Sequence, residues 1–276
     1  MKRYDLAFSL GAACSCAQSL REAGLQFASY PFDWTGSPGI LASVAALETD
    51  FADWFRKEDL KLVDVRREPL STRCYLNRRT GFVFYHEFTL FATFDGLFDK
   101  VAERFRRRQM RLGNRIRASK SVLAVYVEVP FRTQGTDGDF LEARRRLAEH
   151  FQGVDVDLLV FRKVEADRQP TVRKLSPSVT VVELDFVQYV DGEMSHQVNR
   201  LAMTDYLKRN FTVVDLRSDA ESKLFLQRKC EEREVKWGTG PFLVRFYNAV
   251  SYKLYRKLEK YLVRQRVVPR ERLIRY

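Results

Sequence analysis

The sequence lacks the features of several common protein classes. No apolar run approaches the roughly 20 residues that cross a bilayer, and neither a P-loop nor the Rossmann Gly-x-Gly-x-x-Gly pattern is present. The four cysteines show neither Cys-x-x-Cys pairing nor zinc-ligand spacing. We therefore expect a cytoplasmic protein with reduced cysteines, and neither a metal nor a cofactor.

Positive charge, in contrast, is abundant and concentrated in two segments. The formal net charge is +12, with 15 Lys/Arg against 5 Asp/Glu in residues 223–276 and 8 against 1 in residues 103–120. Two basic surfaces predict an anionic partner, such as an anionic small molecule or a polysaccharide precursor, although solvated helix faces are the alternative. Nucleic acid is not expected, because no recognition motif accompanies the charge.

Strand and helix patterns alternate through most of the chain. This alternation predicts an α/β fold with a layered, mainly parallel sheet flanked by helices. We place one α/β catalytic or ligand-binding domain at residues 1–217 and a basic helical C-terminal appendage at residues 218–276. The last predicted helix, Phe242–Arg264, is amphipathic with basic flanks, which suits peripheral contact with an anionic membrane or docking on the body of the protein.

The most informative segment is a strand–glycine–cysteine junction near the N-terminus. A predicted strand, Tyr4–Leu10, is followed by Gly11 and by a predicted helix, Ala12–Ala23, whose first turn holds Cys14. The field of a helix N-terminus favours a thiolate, and ligands of open α/β sheets bind beyond the carboxyl ends of strands. Ser9 and Gly11 belong to the same candidate site, where Gly11 would let a substrate approach the backbone. The alternative is that Cys14 is a small buried apolar residue.

His86 is the predicted partner of this cysteine. It follows the apolar strand Phe82–Tyr85, and a cysteine nucleophile commonly needs an imidazole base that is distant in sequence. A third group should orient the imidazole, but Glu87 would point to the opposite face of the strand. The other candidates for orientation or binding, which the sequence does not rank, are Asp33, Trp34, Glu128, Asp191 and His196.

The order of these motifs resembles a known family. The motifs are Ser9-Leu10-Gly11-x-x-Cys14, Pro31-Phe32-Asp33-Trp34 and His86-Glu87-Phe88, followed by the arginine-rich segment 104–108. Over about residues 4–165 they resemble a bacterial domain-of-unknown-function family labelled as papain-like cysteine peptidases. The resemblance implies that Cys14 is the nucleophile and His86 the general base. It also introduces an α+β papain-like fold as the alternative to the layered sheet.

The sequence therefore predicts a cysteine-nucleophile hydrolase or acyl-transfer enzyme that uses a Cys14/His86 pair. The alternative is a glycosyl- or phosphoribosyl-type transferase in bacterial surface-polysaccharide assembly, in which the same junction would hold a donor phosphate. The tripeptide Asp155-Val156-Asp157 has the Asp-x-Asp form of metal-dependent sugar-nucleotide transferases, but such tripeptides are frequent by chance and no motif makes this alternative specific.

Overall fold

A computed structural model gives the arrangement of the N-terminal three quarters of the chain. All the residues it describes lie in one compact unit, Met1–Asp215. The predicted appendage, its amphipathic helix and Asp191 lie outside them, so the domain boundary, the membrane contact and the anionic partners stay predictions. The described residues are 1–66, 72–128, 135–164, 171–185, 189–190 and 193–214.

Five α-helices alternate with groups of strands in the described residues. In the described part of the chain, no helix has the length and apolar composition that crossing a bilayer requires. The helices are α1 (Cys14–Glu22), α2 (Ile40–Glu48), α3 (Phe94–Arg117), α4 (Asp137–His150) and α5 (Ser195–Asn210), with short 3-10 turns at Pro31–Trp34 and Lys57–Asp59.

The strands that position the candidate site come from the first two thirds of the chain. These are β1 (Lys2–Tyr4), β2 (Leu6–Ser9), β3 (Thr35–Gly36), β4 (Leu60–Arg66), β5 (Thr72–Asn77), β6 (Val83–Thr89), β7 (Ser121–Val127) and β8 (Asp155–Val164). The remaining strands are β9 (Thr171–Ser176), β10 (Val179–Asp185), β11 (Tyr189–Val190), β12 (Glu193–Met194) and β13 (Phe211–Val213).

The main sheet has five strands in the order β2-β7-β8-β10-β9, and all its pairs are parallel except β10 with β9. Every residue of β2 is buried, and so is every residue of β7 after the first. Strands covered on both faces read as continuous apolar runs, which is why the sequence revealed them. The predicted layered α/β fold is confirmed.

Apolar cores cover both faces of this sheet. Successive residues of a strand point to opposite faces, so Phe8 and Ala124 join a core with α2, α3 and α4. Their neighbours Ala7 and Leu123 join a second core with α1 and α5. Helices therefore cover both faces of the sheet. The ends of its strands are not covered in this way, and a binding site can form there.

A second, antiparallel sheet has the order β3-β6-β5-β4 and carries His86 on β6. No sequence pattern predicted the antiparallel pairing of β4 with β5. The helix predicted over Ile40–Phe55 is wrong beyond Glu48, because Asp50 and Phe51 adopt φ values of 46° and 59° and turn the chain. The turn packs the Phe51 ring 4.8 Å from that of Trp54, under the second sheet.

Candidate active site

Cys14 lies at the carboxyl edge of the five-stranded sheet. Beyond the end of β2, the amide of Ala12 donates to the carbonyl of Val127 at 3.2 Å, and the amide of Val127 donates to the carbonyl of Gly11 at 3.0 Å. The pairing of β2 with β7 thus continues up to the residue before the N-cap of α1. Cys14, as the first residue of that helix, is held in a fixed place relative to the sheet.

Gly11 is required at this junction by its backbone. Its φ of +95° is one that other residues rarely adopt, and an added Cβ would lie 3.3 Å from Cβ of Ser37. Its amide donates to Oγ of Ser9 at 3.0 Å. The sequence predicted that a substrate approaches the Gly11 backbone. In the structure, the side chain of Ser37 approaches it.

His86 reaches the site from an irregular part of β6. Arg73 pairs with Phe88 and Tyr75 pairs with Phe84, so three residues of β6 stand against one residue of β5. Bulges of this kind redirect side chains and are frequent beside active sites. The bulge contains His86 at its centre, and no periodicity in the sequence would reveal it.

The two predicted residues meet. Nε2 of His86 lies 3.8 Å from Sγ of Cys14, although 72 positions separate them in the chain. The ring of Trp34 meets the imidazole edge-on with centroids 5.7 Å apart, and the Arg21 guanidinium lies 5.1 Å from the Trp34 ring centre. Within the described residues, Cys14 is the sole hydrogen-bonding neighbour of His86. The imidazole is therefore oriented by aromatic packing in this part of the chain.

The pair is neutral at rest. Burial raises the pKa of the Cys14 thiol above its usual 9.0, and the amides of Cys14 and Ser15 and the charge of Arg66 offset this only in part. Burial and the same Arg66 charge lower the pKa of His86 below 6.5. The predicted field of the helix N-terminus is present, but the desolvation of the sulfur outweighs it, so the thiol and not the thiolate is favoured.

Asp33 does not orient the imidazole. Its fully buried Oδ2 accepts hydrogen bonds from Nη2 of Arg21 at 2.6 Å, Nε2 of Gln26 at 2.8 Å and the amide of Tyr30 at 2.9 Å. Burial raises the pKa of this carboxyl despite the adjacent guanidinium. Asp33 instead fixes the loop that presents Trp34 to the site.

The two predicted glutamates also bond elsewhere. Glu87 lies on the opposite face of β6, as predicted, where its carboxylate accepts from Nη1 of Arg104 at 2.6 Å and from Nη1 of Arg108 at 2.8 Å. Glu128 pairs with Nε of Arg162 at 2.8 Å. Both carboxylates therefore anchor structure around the site rather than contacting the imidazole.

The remaining predicted residues stay apart from this pair or are not placed. Asp157, at the amino end of β8, accepts from the Tyr4 hydroxyl and the Lys2 ammonium, each at 2.5 Å. No set of three His, Cys, Asp or Glu side chains suited to a metal occurs in the described part of the chain. The backbone of His196 lies in the first turn of α5, and Asp191 is outside the described residues.

Comparison with known proteins bears on this site. Residues 5–138 match a known family. Its description is "Putative papain-like cysteine peptidase (DUF1796)", which confirms the predicted resemblance. The matched range contains Cys14 and His86, and it gives no support to the transferase alternative. No curated protein and no solved structure matches the chain.

Proposed function

We propose that this protein is a cysteine-nucleophile hydrolase or acyl-transfer enzyme, with peptides as the substrate class that the family match favours. The observation that carries the proposal is the 3.8 Å contact between Cys14 Sγ and His86 Nε2. Two different sheets deliver these groups to the carboxyl edge of the parallel strands, where open α/β folds bind ligands. Cys14 is the nucleophile and His86 the general base.

Because the Cys14 thiol is protonated and the His86 ring is not, the first proton transfer runs from Cys14 to His86. As Sγ of Cys14 attacks the acyl carbon, its proton passes to Nε2 of His86, which is unprotonated because its pKa is lowered. The imidazolium then gives this proton to the departing amine or alcohol, leaving a thioester on Cys14. An incoming water or other acceptor loses its proton to His86, attacks the thioester and restores the Cys14 thiol.

The negative charge on the acyl oxygen needs hydrogen-bond donors. The amides of Gly11 and Ala12 do not serve, because they donate to Ser9 Oγ and to the Val127 carbonyl. The amides of Cys14 and Ser15 interact with the sulfur and lower its pKa, as donors in a helix first turn do. We assign the developing charge to these two amides.

The test uses p-nitrophenyl acetate, whose hydrolysis releases a coloured phenol and whose acetyl group can be found on the protein by mass spectrometry. Cys14→Ala should lower turnover about 1,000-fold or more, and His86→Ala about 100- to 10,000-fold. Cys16→Ala is the matched control. The Cys16 sulfur donates to the Val125 carbonyl at 3.3 Å and does not face His86, so turnover should be retained.

Digestion of the acetylated protein should place the acetyl group on Cys14. Full turnover by Cys14→Ala, or acetylation confined to another residue, would contradict the proposal. A loss of turnover in Cys16→Ala equal to that in Cys14→Ala would show that the helix, and not the Cys14 sulfur, is what the activity needs.

A further inference from the structure

Arg66 ends β4 beside the candidate pair, and it has no role in the steps described above. Its guanidinium carbon lies 4.7 Å from the centre of the Tyr85 ring, and Tyr85 directly precedes His86. Its Nε lies 3.3 Å from the Asp64 carboxylate. Among the described residues, no acceptor contacts its two Nη groups, and the side chain is 24% exposed. Within the described residues, the outer edge of the guanidinium therefore has no acceptor of the protein.

The platform under Arg66 is rigid. A Cβ on Gly36 would lie 2.8 Å from the Tyr85 ring, so the ring rests directly on the backbone of β3. β3 in turn pairs with β6, the strand that carries His86. A guanidinium stacked on a fixed ring loses little freedom when it binds an anion.

Arg66 also lies near the candidate pair, because the centre of the Tyr85 ring beneath it is 6.4 Å from the centre of the His86 ring. Its charge lowers the pKa of Cys14 and that of His86, so it lies within electrostatic range of the sulfur and the imidazole. Two other arginines of the described residues are already paired with buried carboxylates: Arg21 with Asp33, and Arg108 with Glu87. Arg66 differs from them in having its paired Nη donors uncommitted within the described residues.

We propose that Arg66 binds a carboxylate of the substrate next to Cys14, which makes the acyl substrate an acidic one. The planar guanidinium matches a carboxylate with two parallel N–H···O bonds. This pairing takes one guanidinium and one carboxylate, whereas a phosphate usually draws several donors. The inference rests on the proposed function, because it assigns the substrate class of the Cys14 site.

The test compares two alkylating probes of similar size, iodoacetate and iodoacetamide, at about pH 8, where His86 is neutral. Rates are followed at the Cys14 peptide by mass spectrometry. Losing Arg66 reduces the thiolate fraction for both probes equally, so the iodoacetate-to-iodoacetamide rate ratio reports the attraction of the anion alone. Arg66→Lys, which keeps the charge but not the planar fork, separates paired hydrogen bonding from charge. Arg66→Gln should lower this ratio about 10-fold, and Arg66→Lys should lower it less.

Arg117→Gln is the matched control, because it removes one positive charge with the same substitution. Arg117 ends α3, ahead of the amino end of β7 and away from the carboxyl edge, and is exposed beside Asp50 at 3.5 Å. Its rate ratio should equal that of the wild type. Glutarate should also protect wild-type Cys14 from iodoacetamide, but not Cys14 in Arg66→Gln.

Each contrary outcome has a distinct meaning. An unchanged ratio in Arg66→Gln, with both rates reduced equally, would mean that Arg66 acts only by lowering the pKa of Cys14. That result would overturn its binding role but leave Cys14 a nucleophile. Inorganic phosphate protecting as well as glutarate would overturn the carboxylate assignment. Failure of both probes to modify wild-type Cys14 would count against the accessible nucleophile of the proposed function itself.

Discussion

The carboxylate of Glu87 gives the sharpest stability test of the region behind the site. Its side chain is 4% exposed and bonds Arg108, which is 13% exposed, and Arg104, which is 46% exposed. Replacing Glu87 with Gln keeps the shape but leaves the buried Arg108 charge without a counter-ion. Breaking a buried pair in this way costs about 3 kcal/mol, most of it at Arg108, because solvent screens the pair with Arg104.

The assay is urea unfolding followed by circular dichroism. A loss of about 3 kcal/mol multiplies the unfolding equilibrium constant by roughly 100. Glu103→Gln is the matched control, since Glu103 also contacts two arginines, Arg106 and Arg107, but is exposed. It should leave the urea midpoint unchanged.

The penalty should depend on pH. The guanidinium charges hold the pKa of Glu87 below its usual 4.5, despite the opposing effect of burial. The stability that the carboxylate contributes is therefore complete above pH 4.5 and is lost as the pH falls through the lowered value. The difference between wild type and Glu87→Gln should shrink over that range. Equal midpoints for Glu87→Gln and Glu103→Gln near neutral pH would refute the reasoning.

Two further predictions concern the site. Alkylation of Cys14 by iodoacetamide should keep accelerating as the pH passes 9.0, because burial raises the thiol pKa; a rate that levels off below neutral pH would contradict this. Gly36→Ala should cost about 1–3 kcal/mol in thermal unfolding, since its Cβ would lie 2.8 Å from the Tyr85 ring. Gly138→Ala, in the first turn of α4, where the added Cβ would lie an ordinary 3.4 Å from Oγ1 of Thr136, should not lower the melting temperature.

Much of the scaffold was predictable from local patterns. The apolar runs of β2 and β7 predicted buried parallel strands, and the strand–glycine–cysteine order predicted that α1 begins near Cys14. The alternation of side chains along a strand correctly placed Glu87 away from the imidazole. Each of these predictions depends on residues close together in sequence.

The partners of the carboxylates were not predictable in the same way. Asp33 and Glu128 were candidates to orient His86, yet each is bound by an arginine that no sequence motif links to it. The antiparallel pairing of β4 with β5 and the bulge around His86 arise from contacts between strands, so their geometry depends on register rather than on composition.

The sequence by itself determined that Cys14 begins a helix at the carboxyl end of a buried strand, because that arrangement is set by local steric and hydrophobic preferences. Only the tertiary structure decided that His86, 72 positions away, approaches the sulfur. It also decided that burial raises the pKa of Cys14 and lowers that of His86, since desolvation depends on what the whole fold packs around a group.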